Sequence, residues 1–151
     1  MSHTILKLDI PIKLITGVRK KKNIFLSMNN AFKWRDVQRN NYKQAYTDLI
    51  KPQIEQLPKL KRIISITYEV HRGDRHSFDV MNTVSIIDKF FEDALVVNGI
   101  ITDDNFKVVP MVIGKIGEYD KSNPRISVTI EGELWEYKII LHLYQLKVRL
   151  N

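Results

Sequence analysis

Hydrophobic and polar residues alternate along Ile5 to Thr16 (ILKLDIPIKLIT), the period of a half-buried strand. Pro11 within it predicts an edge strand or a bulge, because proline cannot donate to a ladder. Ile24 to Leu26 predicts a second short strand, and Ser27 to Asn30 a turn. From Ala31 to Leu57 the apolar positions Phe32, Val37, Tyr42, Ala45, Tyr46, Leu49 and Ile50 suit a charged helix. Pro52 kinks or ends that helix, and Pro58 closes the region. Arg62 to His71 (RIISITYEVH) is rich in β-branched residues and predicts a strand, followed by the polar loop His71 to Ser77. Val80 to Val97 is the clearest helix, stopped by Asn98-Gly99. Ile100 to Asp104 reads as a short extended segment ending in acids. Strands are expected at Phe106 to Gly114 and Arg125 to Ile130, with a turn region from Gly117 to Pro124 between them. The apolar stretch Trp135 to Leu150 suits a long strand better than a helix, because Tyr137, Ile139, Ile140 and Val148 favour extended chain. The sum is an α+β pattern: one domain over residues 1–151, with a mixed β-sheet and two main helices.

Length and composition agree with that reading. A chain of 151 residues buries a core without staples, and no repeat or linker calls for a second domain. Cysteine is absent, which removes disulfides, thiolate nucleophiles and thiolate zinc sites and fits a reducing cytoplasm. The start MSHTILKLDI lacks the basic and apolar regions of a signal peptide, and no apolar run approaches the ~20 residues of a membrane span.

Charge adds more. There are 24 Lys and Arg against 17 Asp and Glu, a net +7. The excess is solubility, or it marks a polyanionic partner. Arg19, Lys20, Lys21 and Lys22 form one run, Lys33, Arg35, Arg39 and Lys43 a second, and Lys59, Lys61 and Arg62 a third. The acids concentrate instead between Asp74 and Asp104. A basic body around a compact acidic cluster is what a metal-dependent nuclease requires, since cations grip phosphate and acids hold the metal.

The informative stretch is Phe78 to Asp104, FDVMNTVSIIDKFFEDALVVNGIITDD. At ~100° per residue, Asn82, Lys89 and Asp93 share one stripe of the helix, and Val84, Ile87, Phe91 and Leu95 form an apolar stripe on the far side. Ile86, Phe90 and Val97 add apolar surface beside the polar stripe, so much of the helix is buried and its charges need partners. Asp79 precedes the helix. A reversal at Asn98-Gly99 is expected to bring Asp103 and Asp104 back towards it. Carboxylate oxygens around one space suit magnesium, which takes oxygen ligands and keeps several waters. Such an ion orients a water for attack on phosphorus, and Lys89 is placed to neutralise charge developing on the phosphate. Each part has an ordinary alternative. Asp79 serves as a helix cap, Lys89 and Asp93 as an intrahelical pair, and Asp103-Asp104 as a solvated turn.

These residues resemble the RusA-like Holliday junction resolvases. That family carries a D-x-D-N element, a lysine on a helix, then D-A-L, a glycine and D-D. Here Asp93-Ala94-Leu95, Gly99 and Asp103-Asp104 fit the pattern, Lys89 stands four residues before Asp93, and Asp79-Val80-Met81-Asn82 is similar to the first element. Two departures stand out. Met81 replaces the second aspartate, leaving Asn82 or Asp88 to compensate, and about one extra helical turn separates Asn82 from Lys89. The likeness is strongest from Phe78 to Val109 and weaker over Leu26 to Tyr46.

The resemblance implies a magnesium-dependent endodeoxyribonuclease, with manganese able to substitute, that resolves four-way junctions during phage or prophage recombination in the cytoplasm of a bacterial host. It implies a homodimer, whose twofold symmetry suits the cutting of two related strands. Asp79, Asp104 and Lys89 are then the expected catalytic residues, and Asp79, Asn82, Asp93, Asp103 and Asp104 the expected metal ligands. Lys20, Lys21, Lys22, Lys33, Arg35, Arg39, Lys43, Arg72 and Arg75 are the expected DNA contacts, mainly to phosphate. Trp34, Phe32 and Tyr42 are expected to pack into the core rather than stack on bases. None of the four histidines shows metal-ligand spacing. Two other functions fit the chain less closely: a branched-DNA-binding protein of the same fold with impaired catalysis, and a basic scaffold without a metal.

Overall fold

The β-branched run Leu60–His71 forms the longest strand of the sheet, and its near-continuous burial is that of a central strand. The structure is a computed structural model that describes residues 2–17 and 19–135. In chain order the elements are β1 (His3–Ile10), β2 (Lys13–Thr16), β3 (Lys22–Phe25), α1 (Met28–Ala31), α2 (Asp36–Ile54), β4 (Leu60–His71), α3 (Val80–Val97), β5 (Val112–Ile116) and β6 (Arg125–Leu134). One sheet has the order β1-β6-β4-β5, and β2 and β3 form a separate hairpin. β4 runs antiparallel to β6 and parallel to β5. Parallel neighbours need a crossover, and α3 supplies it. The result is a single α+β domain with a mixed sheet and two main helices.

α3 lies where sheet and helices meet. Its apolar stripe Val84, Ile87, Phe91 and Leu95 is fully buried. The Phe91 ring meets Tyr68 of β4 edge-on at 6.0 Å between centroids. Phe90, on the other flank, meets Tyr46 of α2 at 6.0 Å, and the Tyr46 hydroxyl donates to the Pro11 carbonyl at 2.7 Å. One apolar core thus joins the sheet, both long helices and the turn before β2.

Five expectations change. Pro11 follows β1, which is an edge strand as expected, but it makes no bulge in a single strand; it divides the segment into β1 and β2, which join different sheets. The expected turn at Ser27 to Asn30 is the start of α1, with Ser27 Oγ accepting from the Asn30 N–H at 3.3 Å. Ala31 to Leu57 is not one helix, because α1 ends at Ala31 and α2 begins at Asp36; Pro52 sits in the last turn of α2. The Ile100 to Asp104 segment is not a strand. Gly99 adopts φ +68°, the Gly99 N–H donates to Val96 O and the Ile100 N–H to Leu95 O, both at 2.9 Å. That is a Schellman closure, and it tucks Ile100 and Ile101 into the core. The strand expected from Phe106 begins only at Val112, since the Val108 and Val109 N–H groups both turn back to Asn105 O at 2.9 Å. The expected strand over Trp135 to Leu150 falls, apart from Trp135, outside the described residues.

The α3–β5 contact is close. A Cβ on Gly114 would stand 2.7 Å from Met81 Sδ and 3.2 Å from Val84 Cγ2. Gly114→Val is therefore expected to cost about 1–3 kcal/mol of stability. Chemical denaturation checks this, and a midpoint equal to that of the parent chain would show that the helix has room to move.

Candidate active site

α3 begins with a cap. Asp79 has extended backbone, and its Oδ1 accepts the Met81 N–H at 2.9 Å. One turn further in, Asn82 Oδ1 accepts the Asn29 N–H at 3.2 Å, fastening α1 to α3. Met81 packs at Gly114 on the neighbouring face.

The charged groups gather further along the same helix. Lys89 Nζ donates to Asp104 Oδ2 at 2.7 Å and lies 3.5 Å from Asp93 Oδ1. Lys43 of α2 reaches Asp93 Oδ2 at 3.2 Å from the other side, an ion pair off the hydrogen-bond axis. The hydrogen bond to Asp104, together with the nearby carboxylates, holds the Lys89 ammonium above its usual range. The same bond holds the Asp104 carboxyl below the usual carboxylate range, so this pair is ionised at neutral pH.

Beside this pair lies a second one, formed by Asp88, named above as able to compensate for Met81, and Glu92, which the sequence reading did not place in the site. Asp88 and Glu92 stand one turn apart, and Glu92 is buried, with 7% of its surface exposed. The Tyr68 hydroxyl donates to Asp88 Oδ1 at 2.7 Å. Burial and mutual repulsion push Glu92 up to about 8, and burial raises Asp88 as well. A proton kept by one of them can be shared with the other. Asp104 repels both. Two acids spaced i, i+4 on a largely apolar helix were the available signal, since such a pair is unfavourable unless something compensates. Asp88 also lies two turns beyond Met81 on nearly the same face, about 10 Å further along the axis.

The expected metal ligands therefore fall into two groups. Asp93 and Asp104 are joined through Lys89. Asp103 Oδ1 accepts the Asp104 N–H at 2.8 Å and shapes the turn. Asp79 and Asn82 stay at the start of the helix, and Asp79 lies about 15 Å from Lys89 along the axis. The return segment explains the separation. From Asn98 to Asp104 the chain spans at most about 20 Å, whereas α3 from its cap is about 28 Å long. Asp104 thus comes level with Lys89 and stops short of Asp79. Among the described residues, no three His, Cys, Asp or Glu side chains form a ready-made cation cage.

The expected DNA contacts also divide. Lys20, Lys21, Lys22, Lys33, Arg35, Arg39 and Arg75 are exposed. Arg39 also donates to Ala31 O at 3.2 Å, and Arg75 lies over the Tyr119 ring at 4.8 Å. Lys43 is half-buried on Asp93. Arg72 is held by the fold, sandwiched between the Phe25 and Phe78 rings at 5.0 and 4.7 Å and ion-paired to Asp74 at 2.7 Å. With Arg75, His76 and Tyr119 it lines a cleft of about 390 Å³ beside the Asp79 end of α3. Trp34 and Tyr42 pack inwards, edge to face at 4.9 Å, while Phe32 is exposed.

No protein-family model matches the chain, and no curated protein matches it. The resemblance to the RusA-like resolvases rests on the residues named above.

Glu92 makes a prediction about pH. Its folded-state pKa of about 8 lies above its ordinary value of 4.5, so the unfolded chain releases this proton first. Stability is therefore present in full below about pH 4.5 and is lost as pH rises through 8. Glu92→Gln is expected to flatten that decline, melting several degrees above the parent at pH 9 and showing no such gain at pH 5. Thermal melts across this range check it, and parallel curves for the two proteins would show that Glu92 titrates normally.

Proposed function

We propose that this chain is a magnesium-dependent endodeoxyribonuclease of RusA-like type that cuts branched DNA, with the four-way junction as its substrate. The observation that supports this most is the Lys89 ammonium seated between Asp93 and Asp104, all three of them positions that the resemblance singles out. The donor chemistry fits a hard cation. Asp88, Glu92 and Asp104 offer only carboxylate oxygens, and their mutual repulsion is what a divalent ion would relieve. Magnesium commonly takes one or two carboxylates and completes its shell with waters and phosphate oxygens, so a full protein cage is not required.

In this reading Asp104 and Asp88 would hold the ion, with Glu92 behind them. When bound, it supplies an activated water and neutralises phosphate charge. Lys89 lies beside the same carboxylates and places a positive charge next to the phosphate under attack. Tyr68 fixes the Asp88 carboxyl by its hydrogen bond. Exposed Lys20, Lys21, Lys22, Lys33, Arg35, Arg39 and Arg75 grip backbone phosphates on either side, which gives affinity without sequence preference. Two copies related by a twofold axis would present two such sites to a junction, and the cytoplasm of a bacterial host is where that substrate arises.

A second reading has its own observation. Met81 stands where an aspartate is expected, and Asp79 is engaged as a helix cap. A chain of this kind binds branched DNA without cutting it.

A synthetic four-way junction, with linear duplex as control, separates the two readings. The parent chain is expected to cut the junction with magnesium or manganese and not with chelator. Asp104→Asn is expected to lower cutting at least ~100-fold while leaving junction binding within a few-fold. Binding without cutting in either metal by the parent chain favours the second reading, and cutting by Asp104→Asn at the parent rate removes the carboxylate from the mechanism.

A further inference from the structure

The corner between α1 and α2 holds an aromatic ring that the fold leaves outside. Its backbone is pinned from several directions. Asn30 Nδ2 donates to Phe25 O at 2.8 Å, Arg39 Nη2 to Ala31 O at 3.2 Å, and the Asn29 N–H to Asn82 Oδ1 at 3.2 Å. The Phe32 and Lys33 N–H groups return to Met28 O and Asn30 O, both at 3.0 Å. Ala31 before it is buried, and Trp34 after it stacks on Phe90 of α3 at 6.4 Å. Phe32 between them is 75% exposed. Lys33 and Arg35 follow it closely in the chain, both exposed, and neither takes part in an ion pair among the described residues.

An isolated exposed apolar residue needs no explanation. A phenyl ring on a fixed corner, followed within three residues by two cations that are unpaired among the described residues, is a different case. The ring offers a π face to a base without regard to sequence, and exposed cations on the same short segment are within a side chain's reach of the backbone phosphates of such a base. A hydrophobic protein partner would leave the two charges unanswered at the centre of its contact, a place from which charged residues are usually depleted.

We propose that the α1–α2 corner is a stacking post for an unpaired base of single-stranded DNA, with Phe32 against the base and Lys33 and Arg35 on the flanking phosphates. The post deepens the branched-DNA reading and rests on it for the origin of the unpaired base. Asn29 and Trp34 fasten the corner to α3, the helix that also carries Lys89. A post on this flank favours DNA whose pairing is already broken.

The test is the binding of a labelled oligothymidylate in chelator, followed by fluorescence anisotropy over a salt series. Phe32→Ala is expected to weaken binding about 5- to 100-fold with the salt slope unchanged, because a stacking surface is lost and no charge is lost. Phe32→Trp is expected to bind at least as well as the parent. Lys33→Ala and Arg35→Ala are each expected to reduce the slope by about 0.7. Phe32→Ala binding within twofold of the parent overturns the proposal. So does sedimentation showing that Phe32→Ala turns a dimer into a monomer, which makes the ring a subunit contact. The assay contains neither divalent ion nor junction, so its failure is distinct from failure of the nuclease reading. A chain that stacks the oligonucleotide yet never cuts junctions keeps the post and loses the nuclease, and a chain that cuts junctions with Phe32→Ala indifferent does the reverse.

Discussion

The burial of α3 on more than one side governs the rest of the structure. Its apolar stripe lies on the sheet through Phe91 and Tyr68, and a second flank lies under α1 and α2 through Phe90, Trp34 and Tyr46. A helix held in this way has little water for its polar residues, and unpaired charge there is costly. Each of those residues has therefore found a specific partner. Asn82 takes a backbone N–H from α1, Asp93 takes two lysines, and Asp88 takes a tyrosine hydroxyl. Glu92 is answered by keeping its proton. The chemistry of the candidate site follows from this packing, because groups forced into close register at low solvation are the ones whose charge a ligand can change.

Much of this was legible in the sequence where a single strong signal acted. The bounds of α3 follow from its apolar period and from Asn98-Gly99, and β4 follows from its β-branched run. The pairing of Lys89 with Asp93 was visible from i, i+4 spacing, and the approach of Asp104 from the reversal after the helix. Reading failed where local preference met a long-range demand. Ile100 and Ile101 suit a strand, but the core takes them as the plug of a helix end. Asp79 was expected to meet Asp104, yet chain length sets how far the return can run. Asp88 was named only as a substitute for the missing aspartate, and its pairing with Glu92 was not foreseen, because its partner Tyr68 lies on a strand whose register against α3 no local pattern reveals.

Surface aromatics show the same limit from the other direction. Phe32, Trp34 and Tyr42 look alike in a basic segment, and packing was the expectation for all three. Two of them pack, and Phe32 does not, because the break between α1 and α2 turns it away from α3. That break has no strong sequence signal: no proline or glycine marks residues 32–35. The hydrogen bonds that fix it come from side chains up to eight residues away and from the start of α3.

A rigid helix with a cap at one end and an ion pair further along is also a ruler. Every residue added between Asn82 and Lys89 lengthens it by about 1.5 Å and rotates its far end by about 100°. Four extra residues turn Lys89 by only about 40° and keep it facing Asp104, whereas two would swing it to the opposite side. Length variation in this part of the chain is thus confined to near-whole turns. Each such turn moves the Asp79 end a further step from the charged cluster, so chains that differ here differ in the distance between the loop after β4 and the carboxylates, even when every side chain involved is the same.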